Sequence, residues 1–150
     1  MPQRDMKNNM QVVHLGNLSL SGATPAASDW VDTKGFDTCT FVAVNNTVTD
    51  AGTASGFSFE VQEGDDTTAA GAAAVADAEL LGAESALTVT ADGDDDAIAG
   101  TIGYVGNSRY ARVVATGTTG TDADVSIVAV LTMGARMDLD AGVGTSVAAT

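Results

Sequence analysis

The chain has 150 residues, 45% of them hydrophobic and 5% aromatic, and its 20 acidic against six basic side chains give a formal net charge of −14 at pH 7. That length suits one domain with one core. The acidity excludes a phosphate-binding surface, because the six cations, Arg4, Lys7, Lys34, Arg109, Arg112 and Arg136, are scattered, so neither nucleic acid nor an anionic membrane surface is an expected partner.

Residues 1–10 carry two of the six cations and no periodicity, and read as an N-terminal arm. They are not followed by the apolar core of a secretory signal, so synthesis in a cytoplasm is expected. From there a period of two takes over, the signature of strands with one wet side. Val12 to Leu20 and Trp30 to Thr33 are the first candidates. Phe36 to Val44 starts by alternating and becomes continuously apolar from Phe41, as in a strand running from rim to centre, and Asn45-Asn46 reads as the turn after it. Phe57 to Gln62 is the clearest strand, with Phe57, Phe59 and Val61 on one face and Ser58, Glu60 and Gln62 on the other. Residues 69–81 are rich in Ala and Leu and have high helix propensity. The turn-like Asp65-Asp66-Thr67-Thr68 before them, and the scarcity of bulky apolar surface to dock a helix, favour a loop leading into a strand at Ala78 to Leu81. Ala86 to Thr90, Ile98 to Val105, Arg109 to Ala115 and Val125 to Thr132 complete the set, with Gly106-Asn107-Ser108 expected as the tight turn of a hairpin. No stretch approaches the about 20 apolar residues of a membrane-spanning helix.

With four Phe, two Tyr and one Trp, the core must be thin and made of small residues, which suits two closely packed sheets. The expected fold is therefore all-β: an antiparallel β-sandwich or jelly roll of about eight or nine short strands over residues 11–137. Residues 138–150, small and glycine-containing, read as a flexible C-terminal tail.

Catalytic chemistry finds little to use. The single Cys39 sits in an alternating stretch and reads as a small buried hydrophobe. The single His14 has no sequence relation to it, so a nucleophile and base pair is not expected, and a transition-metal site lacks ligands. The cluster Asp92-Gly93-Asp94-Asp95-Asp96 invites a calcium reading, but an EF-hand loop starting at Asp92 has Ala97 where glycine is needed and Gly103 where the closing Glu belongs. A solvated β-turn is expected. No catalytic residue, cofactor or metal is assigned, and the chain is not expected to be an enzyme.

The most distinctive stretch is Ile102 to Val114, in which Tyr110, Arg112 and Val114 share one strand face. The plain reading is that Arg109 and Arg112 pair with neighbouring carboxylates and lay their stems over the sheet. The other is that Arg109, Tyr110 and Arg112, with the lone Trp30 and the arm cations Arg4 and Lys7, are candidate interface residues, since Arg, Tyr and Trp anchor protein contacts.

The stretches Trp30-Val31-Asp32-Thr33-Lys34-Gly35-Phe36-Asp37-Thr38, Phe57 to Asp66 and Tyr104 to Val113, in that order, resemble a group of small tailed-bacteriophage virion proteins, the capsid cement or decoration (head stabilisation) proteins. The similarity spans about residues 30–133. The resemblance implies a β-sandwich or jelly-roll subunit that binds the outside of the phage shell. Its expected partners are the major capsid protein and further copies of itself, as a dimer or trimer, and its expected place is the exterior of the virion. The alternative from the binding class is a tail- or fibre-associated sandwich that recognises a host surface glycan or protein, for which exposed aromatics would be the mark.

Overall fold

A computed structural model describes residues 7, 9–95, 97–133 and the backbone of 146–147. In chain order the strands are β1 (Met10–Ser21), β2 (Ala26–Ala27), β3 (Trp30–Asp32), β4 (Thr38–Asp50), β5 (Ser58–Gly64), β6 (Ala73–Ala74), β7 (Leu80–Leu81), β8 (Ala97–Tyr104), β9 (Tyr110–Thr116), β10 (Asp122–Thr132) and β11 (Ser146–Val147). They form two sheets, ordered β1-β10-β4-β8-β7 and β11-β3-β9-β5-β6, with β2 also paired to β9. Every pairing is antiparallel. The protein is an all-β sandwich, as its alternating pattern predicts, with some strands of only two residues.

Alternation decides what lies between the sheets. From the first sheet Leu15, Leu20, Phe41, Ile102, Ile127 and Leu131 point inward, and from the second Val31, Phe57, Phe59, Val61 and Val113. The Phe57 and Phe59 rings meet edge to face with centroids 5.8 Å apart. In β1 the buried set changes parity, from Val13 and Leu15 to Leu18 and Leu20, and the register against β10 shifts between His14 and Asn17. Gly16 between them has φ +113°. The extra residue of this bulge is what keeps Leu18 and Leu20 in the core; without it both would face water.

Three local expectations are corrected. Asn45-Asn46 is no turn: β4 runs through it for 13 residues, because pairing with β10 on one side and β8 on the other outweighs the local preference of asparagine. Asn45 is fully buried there and its side-chain amide has no hydrogen-bond partner. Ala86 to Thr90 forms no continuous strand: Ala86 and Leu87 end a 3-10 turn over Glu84–Leu87, and Val89 makes a single bridge to Phe57. The stretch 69–81 forms no α-helix; it holds the short strand β6, a 3-10 turn at Asp77–Glu79 and β7. Two residues of the segment read as a tail, Ser146–Val147, pair with β3. The remainder of that tail, and most of the arm, lie outside the described residues.

The third correction matters most. Gly106-Asn107-Ser108 does not close a hairpin, since β8 belongs to the first sheet and β9 to the second; residues 105–109 cross the end of the sandwich. The crossing is held by Tyr104, whose hydroxyl donates to Glu63 Oε2 at 2.5 Å and accepts from the Ser108 N–H at 3.0 Å. A Cβ on Gly106 would lie 2.5 Å from the Tyr104 ring, so only glycine lets the backbone pass so close. Burial, with help from the Glu63 carboxylate, pushes the Tyr104 hydroxyl well above its ordinary pKa. Tyr104→Phe is therefore expected to cost about 1–3 kcal/mol in urea unfolding, because Glu63 and the Ser108 N–H both lose their partner, and Gly106→Ala is expected to cost at least as much. Unchanged midpoints for both variants would show that the crossing is held by something else.

Candidate interaction surfaces

On the outer face of the second sheet, register gathers the residues that the sequence singled out. Asp32 on β3 lies opposite Tyr110 on β9, and Gln62 on β5 lies opposite Arg112, so Trp30, Arg112 and Gln62 form one cross-strand row. The Arg112 guanidinium sits 4.4 Å from the centroid of the Trp30 ring, and its Nε and Nη2 donate to Gln62 Oε1 at 3.1 and 2.9 Å. It is 7% exposed and makes no ion pair with a carboxylate among the described residues. Desolvation accordingly lowers its pKa. Trp30 is fully buried, with no hydrogen-bond partner for its indole N–H among the described residues.

Three residues earlier, Arg109 behaves differently. Its Nη2 lies 2.7 Å from Asp32 Oδ2, its Nε reaches both carboxylate oxygens at 3.2 Å, and its guanidinium stands 4.9 Å from the Tyr110 ring centroid. The Arg109 side chain is 48% exposed. Burial of Asp32 pushes its pKa up, but the hydrogen bonds from Arg109 and the Lys34 N–H, and the two positive charges, outweigh that and hold it low.

Of the candidate interface residues, Arg109, Tyr110, Arg112 and Trp30 thus come together. Trp30 and Arg112 are corrected in one respect: the fold buries both, so they support this face from beneath, and only Arg109 and the half-buried Tyr110 present themselves. Pairing with carboxylates holds for Arg109 and fails for Arg112. Lys7 is exposed in a turn before β1. Arg4 lies outside the described residues, as does Arg136.

The outer face of the first sheet was not singled out by the sequence. Three adjacent cross-strand rows lie there: Val12, Val130, Thr40, Gly103 and Leu81; His14, Val128, Val42 and Thr101; Asn17, Ser126, Val44 and Ile98. None of these residues carries a formal charge at pH 7. Val12 is 58% exposed and Leu81 and Ile98 are each 65% exposed. The polar groups satisfy one another: Asn46 Nδ2 donates to Ser126 Oγ at 2.7 Å, Ser126 Oγ donates to Asn17 Oδ1 at 2.5 Å, and His14 Nε2 lies 3.2 Å from that same oxygen. Acidic residues appear at one end, with Asp124, Asp122 and Asp50 in the next rows. The signal that could have found this face is the uninterrupted Val-rich run in Phe41 to Val44 and Val125 to Leu131: apolar residues of both parities in a sheet with one covered side leave half of them facing out.

The acidic turns cap backbone. Asp92 Oδ1 accepts from the Ala51 N–H at 2.8 Å and Asp95 accepts from the Val48 N–H, and Asp66 takes the N–H and hydroxyl of Thr68. Among the described residues no group of three or more His, Cys, Asp or Glu side chains could hold a metal ion. Cys39 points into the core, while His14 lies on the opposite, outer side of the same sheet with β10 between them. Burial pushes the Cys39 thiol up to about 12.

Three outcomes are expected. Arg112→Met keeps the apolar stem and removes a desolvated cation, so its stability should fall within about 1 kcal/mol of the parent, whereas Trp30→Ala should cost about 3–5 kcal/mol; a loss above about 3 kcal/mol for Arg112→Met would show that the charge itself holds the face. Because Asp32 has a depressed pKa in the folded chain, its stabilisation is present above the unfolded value of about 3.9 and is lost as pH falls through the folded one. Urea midpoints of Asp32→Asn should accordingly decline less than those of the parent between about pH 5 and pH 2. Finally, Cys39 should resist iodoacetamide at pH 8 in the native protein and react in urea; native labelling at the rate of a free thiol would contradict the burial.

No protein-family model, no curated protein and no solved structure matches this chain.

Proposed function

We propose that this chain is a structural virion protein that binds the outer surface of a phage capsid and stabilises it, with the major capsid protein as its partner. The observation that carries the reading is a spatial one. The three separated stretches that resemble cement proteins contain β3, β5 and the first four residues of β9, strands that are neighbours in one sheet, and their side chains interlock through Trp30, Arg112 and Gln62, through Asp32 and Arg109, and through Glu63 and Tyr104 at the end of β8. A resemblance by chance has no reason to select one contiguous unit.

Strand order adds support. With β2, β7 and β11 set aside and the equally short β6 kept as the innermost partner, the pairs β1 with β10, β3 with β9, β4 with β8 and β5 with β6 are nested like the rungs of one long hairpin, rolled so that alternate pairs fall in opposite sheets. We read this order as a jelly roll, an architecture frequent in viral shells; the step from fold to role is by analogy. The host-recognition alternative is less well supported, because a glycan platform needs open aromatic faces and every aromatic side chain of this protein is buried or half-buried.

Purified chain added to expanded shells of the encoding phage, stripped of accessory proteins, is expected to bind stoichiometrically and to raise their melting temperature. Density confined to the tail in electron micrographs of the virion would overturn the proposal.

A further inference from the structure

We infer that the uncharged outer face of the first sheet is where two copies of this chain pack against each other, related by a two-fold axis that runs across the strands. The inference stands on the geometry of that face and does not depend on capsid binding.

Charge selects the occupant. Each copy carries −14, so two copies can approach closely only through a surface that brings no acid against acid. The rows from Val12 to Ile98 provide this, whereas the outer face of the second sheet presents the exposed Glu60 beside the ion pair of Asp32 with Arg109. A cationic partner would be drawn to the acidic turns; an uncharged patch on so acidic a body fits a partner of the same sign, and a second copy is one by construction. The hydrogen bonds among Asn46, Ser126, Asn17 and His14 leave few polar atoms to strip of water when the face is covered.

Size is adequate. Strands about 4.8 Å apart and rows about 6.8 Å apart give a patch of about 20 by 25 Å including side-chain margins, about 500 Å² in plan, and surface corrugation brings it towards the about 800 Å² per partner of a standard interface. Such a contact dissociates in a measurable concentration range. The acidic end fixes the symmetry. An axis along the strands would stack Asp122 and Asp124 of one copy over those of the other, while an axis across the strands sends the two acidic ends apart. Sheets stacked this way keep their strands nearly aligned, as in the sandwich itself.

Sedimentation equilibrium of the full chain is expected to give twice the 15.0 kDa mass, dissociating in the micromolar range. Val12→Glu and Ile98→Glu should each weaken the dimer at least about tenfold; both positions are more than half exposed, so the new charge stays wet in the single copy and thermal melts should remain cooperative. Ser58→Glu adds the same charge to the other face and should leave the dissociation constant unchanged. Val42→Cys, in the middle row through which the axis passes, should cross-link copy to copy with a short bis-maleimide. A single-copy mass at every concentration, a parent-like dimer in Val12→Glu and Ile98→Glu, an equal weakening by Ser58→Glu, or a dimer that Val42→Cys does not cross-link would each overturn the inference.

Discussion

Strand β10 is hydrogen-bonded along its length to β1 on one side and to β4 on the other, and this ladder at the centre of the first sheet is the constraint on which both faces depend. It turns Val125, Ile127, Ala129 and Leu131 inward as the dry row and leaves Ser126, Val128 and Val130 on the outside. Two accommodations keep its neighbours in step. The Gly16 bulge resets β1 so that Leu18 and Leu20 stay dry, and the register shifts along β4 carry that strand past two asparagines without ending it. The unpartnered Asn45 amide shows what continuity costs: a buried polar side chain left unsatisfied is unfavourable by about 1–3 kcal/mol, and pairing on both sides of β4 outweighs it.

The second sheet meets a different difficulty. Its outer face carries a desolvated guanidinium that pairs with no carboxylate among the described residues, and a lone buried charge is expensive. Three features offset the cost: the Trp30 ring beneath it, the two donations to Gln62, and the delocalised, weakly hydrated nature of Arg itself. These act across β3, β9 and β5, so the same contacts that tolerate the charge also hold three strands in one register. The neighbouring Asp32 and Arg109 pair does the surface version of the same job and contributes less, being half open to water.

The two outer faces therefore differ in kind. One is charged and aromatic with its largest groups withheld; the other is uncharged, with its polar atoms bonded to each other. The acidic turns have structural work to do that explains their placement, since Asp95 and Asp92 accept from the Val48 and Ala51 N–H groups at the C-terminal end of β4.

What the amino-acid sequence determined by itself was the class of fold, most of the long strands and the division into inward and outward residues, because a period of two is written locally and survives packing. Phe57 to Gln62 and Val125 to Thr132 needed nothing else. Tertiary structure decided the features that depend on partners far along the chain. Whether β8 and β9 form a hairpin or bridge the sandwich turns on Tyr104 reaching Glu63 across 41 positions. Whether Arg112 meets a carboxylate or a tryptophan turns on β3 lying beside β9. Whether an apolar run of both parities is covered twice or once turns on how many layers the fold has. Local propensity is silent on all three, because each is settled by pairing between strands that the sequence does not place side by side.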